Sequence, residues 1–369
     1  MVRLRLLLVL LLAHRGAEVA VAPWSGPAVR LRPSASGISA SLTVAGRVAP
    51  ALWIGGCTGI ECAGSGTSDT RWANWNFSVA QAGRAGLAPL VEVELPPYQW
   101  HILPIVPAVS AVIEKTLASS ATTTHIVLRL YLDAKPQTLF ENITVQYANG
   151  SIAQPTCAGG GCPARAAISP AWIADTATKL GKLLLALDAS FPGRIAAVRF
   201  GHMAGEEWMY PHPDLPGPLG AADYSETTRE GFCRAMNQSK DCSLPSFAER
   251  VSPTFGNAIR TGHSAAMQFE KFLADSVADA IIAFAREAKR VSGGKLGVWT
   301  YYGYYLAQAE YGLLGRSGHA TGLSRVLHEP SIDALSDAFM CLLRTTTAQA
   351  VFICRLDRRS PILIRTSYR

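Results

Sequence analysis

Apolar positions change rhythm repeatedly along this chain. Short runs with strand character alternate with longer stretches in which apolar residues recur every three or four positions. Val29 to Leu52 alternates around Ala45-Gly46 and predicts short strands joined by a turn. Ala51 to Ile54 is a strand that runs into the glycine-rich stretch Gly55 to Gly66. Val79 to Ala85 predicts a short helix ending at Gly86, and Leu87 to Leu95 an apolar strand closed by Pro96-Pro97. Ala108 to Leu117 is helical and His125 to Leu132 is a strand. Ser169 caps the next helix and Pro170 suits its first turn. Ile173, Ala177, Leu180, Leu184 and Leu187 then recur at helical spacing until Pro192-Gly193. Strand Ile195 to Phe200 follows. A long helix spans Ser264 to Ala288, with Phe269, Leu273, Val277, Ile281 and Phe284 as its buried stripe. Gly293-Gly294 ends it before strand Lys295 to Tyr302. A helix near His319 to Leu327 and a strand at Ile332 to Leu335 complete the pattern.

Strands alternating with helices, without hairpin signals between them, imply an α/β fold with a parallel sheet of about six β/α units. No G-x-G-x-x-G follows a strand and no Walker-A pattern occurs, so nucleotide folds lack their phosphate loops. The gaps after the fourth and fifth strands are long and polar. Loops at strand C-termini are where barrel enzymes build sites.

The first residues have a different character. Arg3 and Arg5 precede the apolar run Leu6 to Ala13, a polar step follows, and Ala20-Val21-Ala22 has a small-x-small form. These are the marks of a secretory leader over residues 1–22. The run is too short to span a bilayer, and no later segment reaches about 18 uncharged apolar residues, so no membrane span is expected after its removal. Six of the eight cysteines fall into the close pairs Cys57/Cys62, Cys157/Cys162 and Cys233/Cys242, spacings that suit local disulfides in an oxidising compartment. Cys341 and Cys354 complete the set. Sequons at Asn76, Asn142, Asn149 and Asn237 agree with secretion. The net charge of +7 is carried by scattered basic residues with no long run, so nucleic acid is not an expected partner.

The chemistry concentrates after the fourth strand, in Arg199-Phe200-Gly201-His202-Met203-Ala204-Gly205-Glu206-Glu207-Trp208. A strand delivers two carboxylates and a tryptophan within a few residues. Glycoside hydrolysis needs a carboxylic acid of raised pKa to protonate the leaving oxygen. A neighbouring Trp supplies a low-dielectric wall, and its face stacks on a sugar's C–H face. Two acids on a solvated surface loop are the plainer alternative.

Other stretches extend this pattern: Gly83 to Leu95, His125 to Pro136 with Arg129, Asp223-Tyr224-Ser225 with Phe232, Tyr301-Tyr302-Gly303-Tyr304, Ser317-Gly318-His319, Arg325-Val326-Leu327 and Ile332-Asp333. In this order, over about residues 45 to 337, the sequence resembles the barrel domain of family 42 glycoside hydrolases and their β-galactosidase-like relatives. That resemblance implies a (β/α)8 TIM-barrel fold, an oligosaccharide or polysaccharide substrate, no cofactor, and a retaining double-displacement mechanism. The acid/base carries onto Glu207, with Glu206 the fallback, because Glu-Glu stands where better-known members have Asn-Glu. Trp208, Asp223 and Tyr224 would lie near the sugar. Arg129, Tyr302 and Tyr304 would wall the site or hydrogen-bond in it, Arg129 having an interior ion pair as its alternative role.

A retaining glycosidase also needs a second carboxyl about 5 Å from the first. No Glu follows Glu329, and only Asp333, Asp337 and Asp357 lie beyond it. The tail is Thr- and Arg-rich and too short for two further β/α units. The expected organisation is therefore a leader (1–22), a short β segment (23–50), a barrel incomplete at its C-terminal side (51–337) and an atypical tail (338–369). This polypeptide alone is expected to hydrolyse poorly or not at all, and the rival reading is a carbohydrate-binding barrel without chemistry. No Gly-x-Ser-x-Gly serine-hydrolase elbow occurs, and His202, His212 and His263 fall in no H-E-x-x-H metal motif.

Overall fold

The computed structural model describes residues 23–33, 40–48, 53–54, 77, 79–82, 84–85, 90–94, 105–118, 124–132, 144–153, 169–202, 208, 210, 222–239, 242–250, 264–301, 320–336, 353–355 and 362–364. Strands β1 (Val29–Pro33), β2 (Ala40–Val44) and β3 (Arg47–Val48) form an antiparallel meander. It matches the alternating N-terminal pattern, with its last turn at Ala45-Gly46.

The main sheet begins with β4 (Trp53–Ile54), β5 (Leu90–Glu94), β6 (His125–Tyr131), β7 (Ile195–Gly201), β8 (Gly297–Tyr301) and β9 (Ala334–Ser336). These six pair in parallel, and each lies beside its predecessor in the sequence. A doubly wound sheet reverses direction about a switch point, whereas this one advances one way only, as the staves of a barrel do. β7, which carries the acid-bearing segment at its end, is central. From the tail, β11 (Ile362–Ile364) adds in parallel to β9, and β10 (Ile353–Arg355) pairs antiparallel with β11. The sixth parallel strand is therefore not the sheet's edge. Among the described residues β4 and β10 are the two edges, and no pairing joins them.

Both faces of β5 to β8 are buried among the described residues, which explains why these strands read as near-continuous apolar runs. The outer-face residues Val91, Val93, Ile126, Leu128, Leu130, Val198, Phe200, Val298 and Leu335 pack with the helices in one large core. The inner-face residues Leu90, Val127, Ala197, Trp299 and Ala334 form a second cluster with Val29 and Val44 of the meander. Val29 donates its backbone N–H to Lys295 O at 2.9 Å. A Cβ on Gly297 would lie 3.0 Å from Val29 Cγ1 and 3.1 Å from Ala197 Cβ, so the meander packs closely over β8 where it lacks a side chain.

The helices are α1 (Ile105–Ala118), α2 (Pro170–Ser190), α3 (Glu226–Ala235), α4 (Phe247–Arg250), α5 (Ser264–Val291) and α6 (Leu323–His328). Ser169 caps α2 as its sequence predicts, its Oγ accepting from Trp172 N. The α5 stripe is buried at Phe269, Leu273, Val277, Ile281 and Phe284, and the helix runs three residues beyond the predicted end, with Lys289 and Arg290 in its last turn. Residues 79–82 are helical as expected. β5 is shorter at its start than the predicted Leu87–Leu95 strand: its first paired residue is Leu90, opposite Trp53 of β4 and His125 of β6. Among the described residues no helix is long and apolar enough to cross a membrane.

Ion pairs fasten α5 to the α6–β9 unit: Arg286 to Glu329 at 2.8 Å, Lys289 to Asp333 at 2.5 Å, and Arg325 to Asp275 and Asp279. Burial works to raise the Glu329 pKa, but the Arg286 hydrogen bond and the Ser331 contacts outweigh it and hold the carboxyl below its usual value. Glu329 therefore adds stability above the pKa it has when unfolded, and loses it as pH falls through the lower, folded value. Glu329→Gln should lower the melting temperature at pH 7 and flatten its decline on acidification below about pH 5, read from thermal melts across that range.

Candidate functional site

Loops after strand C-termini build the sites of barrel enzymes, so the inner face at that end is the place to look. Three adjacent strands put charge there. Arg199 of β7 reaches across β6 to Glu92 of β5, with Nη2 2.9 Å from Oε1, and both side chains are fully enclosed. Arg129, on the intervening strand, brings Nη1 within 3.7 Å of the same oxygen and is slightly exposed. Tyr301, the last residue of β8, stacks under these groups, with guanidinium carbons 4.4 Å (Arg199) and 5.8 Å (Arg129) from its ring centre. Register explains the meeting: Glu94, Arg129, Arg199 and Trp299 share one row, and Glu92 lies two residues lower on the same face. Residues two strands apart are separated by about 9.6 Å in the backbone, a gap that a long Arg and a Glu side chain reaching toward each other can bridge.

The β7 chain then turns outward. His202 is fully buried and stacks on Trp172 of α2 at 4.5 Å. Glu206 and Glu207 lie outside the described residues, but both ends of their loop are fixed. Trp208 N donates to His202 O at 2.9 Å, which brings the two flanking residues together. Trp208 itself has φ of 60°, a left-handed conformation costly for a bulky residue and concentrated at functional sites. Its side chain secures that conformation. The indole N–H donates to Thr300 Oγ1 at 3.0 Å, Thr300 Oγ1 donates to Phe200 O at 3.0 Å, and the ring stacks on Phe284 of α5. With no exposed surface, Trp208 has no face to offer a sugar. Its side chain is anchored on the outer, helix-facing side, at the end of the 203–207 segment.

Asp223 and Tyr224, expected near the sugar, are both tied into the scaffold at the start of α3. Asp223 is fully buried. Its carboxylate accepts from Gln146 N (3.0 Å), Ser225 N (2.8 Å), Ser225 Oγ (3.0 Å) and Thr228 Oγ1 (2.6 Å), tying the chain to the start of α3. Burial pushes its pKa up, and these four donors oppose the rise. The Tyr224 hydroxyl donates to Pro245 O at 3.1 Å, and its ring lies 5.0 Å from the Arg250 guanidinium. Arg250 bonds Glu270 of α5 at 2.7 Å and Ala222 O at 2.8 Å. Buried Tyr210 lies close to this charged group, and burial raises its phenol pKa. Cys233 and Cys242 form a disulfide, as their spacing suggests. Tyr302, Tyr304, His212 and His263 lie outside the described residues, as do the other cysteines apart from Cys354, which falls in β10. Among the described residues no group of His, Cys, Asp and Glu is arranged to hold a metal ion. A cavity of about 320 Å³ lies at the opposite end of the sheet, between Trp24, Leu185, Val291 and Lys295.

Glu92, Arg199 and Tyr301 were not singled out from sequence. The signal was present: Arg199 is a lone charge in an otherwise apolar strand, and Glu92 interrupts another.

No family model and no curated protein matches the chain. Solved structures similar to it are glycoside hydrolases. The catalytic domain of a β-amylase from Paenibacillus polymyxa aligns over 72% of this chain and 73% of its own, at 10% identity and a TM-score of 0.49. β-Galactosidases from Marinomonas ef1 and Bacillus circulans sp. alkalophilus align over 78% of this chain, at 11% and 16% identity and TM-scores of 0.45 and 0.46. The chain spans 40% of the length of each galactosidase.

Removing one partner of the enclosed pair should be expensive. Glu92→Gln is expected to cost roughly 3–5 kcal/mol, because it strands Arg199 in the interior. The double replacement Glu92→Leu with Arg199→Met should recover much of that loss, and chemical denaturation of the three variants reads both effects.

Proposed function

We propose that the chain is a secreted protein of glycoside-hydrolase type that takes a saccharide at the C-terminal ends of its parallel strands, with Glu207 as acid/base and Glu206 as the alternative. One observation carries the reading. The strand that leads into the Glu206-Glu207 segment also bears Arg199, beside the inner-face groups Arg129 and Tyr301. The loop is clamped at Trp208, the kind of fixed support a reacting carboxyl needs. Arg129, the more exposed of the two arginines, is placed to donate hydrogen bonds to sugar hydroxyls. Enclosed and ion-paired, Glu92 supports the arginines and does not supply the second carboxyl. The sequence likeness to the β-galactosidase-like barrels points to β-galactosides first.

Titration of the purified protein with methyl β-galactoside, followed by saturation-transfer NMR, should show binding that Arg129→Ala weakens about tenfold, the loss of one charged hydrogen bond. No binding across a panel of β-linked oligosaccharides would sink the proposal. Incubation with a 2-deoxy-2-fluoro galactoside separates its two forms: a covalent adduct by mass spectrometry marks an enzyme, and binding without adduct marks the carbohydrate-binding alternative.

A further inference from the structure

Residues 23–28 precede the first strand, and the sequence leaves open whether they survive processing. Two small-x-small patterns occur near the leader, Ala20-Val21-Ala22 and Gly26-Pro27-Ala28. Cleavage after the second would start the chain at Val29; cleavage at or before the Ala22–Pro23 bond would keep the segment.

The fold distinguishes the two products, because residues 24–28 are built into the closed end of the sheet. Trp24 is only 4% exposed and belongs to the large core. Ser25 grips Asp188, in the last turn of α2, with two bonds: N to Oδ2 at 2.7 Å and Oγ to Oδ1 at 2.9 Å. Gly193 N donates to Ser25 Oγ at 3.1 Å, tying in the turn that leads to β7. Lys295, ahead of β8, donates its Nζ to Trp24 O at 2.9 Å. Gly26 passes so close to β7 that a Cβ there would stand 2.5 Å from Ile195 O. One short segment thus joins α2, β7 and the approach to β8. Loss of it would leave the nearly buried Asp188 carboxylate without these donors and open the core where Trp24 sits.

We propose that the leader is removed upstream of Trp24, at or before the Ala22–Pro23 bond, and that residues 23–28 stay in the mature protein as a clasp across the closed end of the sheet. The inference rests on the leader reading of residues 1–22 and is independent of what the site binds.

The full 369-residue chain expressed in a eukaryotic secretory host gives the test, by N-terminal sequencing and intact mass of the deglycosylated protein from the medium. The expected first residue is Pro23 or one just upstream. A start at Val29 or anywhere beyond Trp24, an intact Met1, or no secreted protein would overturn it. The clasp has its own readout. Asp188→Asn and a chain beginning at Val29 should each melt several degrees below the chain beginning at Pro23, the truncated form more so. Equal melting temperatures for all three would refute the clasp.

Discussion

The inner face of the sheet depends on a shared carboxylate. Glu92 accepts from Arg199 across an intervening strand and draws in Arg129 from that strand, so one acidic side chain ties β5, β6 and β7 together. Burying such charges costs several kcal/mol per ion unless the geometry is tight and the remaining donors are satisfied. Tyr301 helps by presenting its ring to the guanidinium groups. The contact also depends on register, since Glu92 and Arg199 point to the same face two strands apart and their long side chains close the gap with a 2.9 Å bond. Strand register and charge placement are satisfied together here.

Around this centre the polar groups divide by task. Trp208 and Thr300 stand on the helix side and hold the loop; Arg129 and Tyr301 stand on the inner side beside its origin. The backbone at Trp208 is in a conformation that a tryptophan adopts only when its surroundings compel it. Those surroundings are Phe284, Phe200 and His202, each buried. The segment around Asp223 follows the same logic one step further out, where Arg250 and Glu270 bind it to α5.

Much of the fold was legible in the sequence because it rests on periodicity. The strands at β6 to β9 and the helices α2 and α5 fall where apolar spacing puts them, and Ser169 with Pro170 marked a start that the structure keeps. The tail was harder to read. Ile353–Arg355 and Ile362–Ile364 are three-residue strands, too short for a period to show, and they find partners only through the sheet already formed. The site was partly legible. Chain order located the segment after β7, but composition could not tell which aromatic would be swallowed by the core. A Trp next to Glu suits a sugar platform, but the direction of Trp208 is decided by Thr300 and Phe284, 92 and 76 positions later in the chain. Arg129 was open to two roles, and the carboxylate that engages it lies on a neighbouring strand.

The length of α5 has a consequence of its own. At 28 residues it extends roughly 42 Å, while the seven-residue β7 it backs covers roughly 23 Å. Phe284 already lies level with Phe200, near the end of that strand, so most of the helix stands clear of the sheet like a mast. Arg250, Tyr224 and Phe232 are all moored to its upper reach at Phe269 and Glu270. The rim above the sheet's mouth therefore takes its height from a helix rather than from strands. Sequence change at Arg250, Tyr224 or Phe232 acts on that helix, while the hydrogen-bonded strands beneath it remain undisturbed.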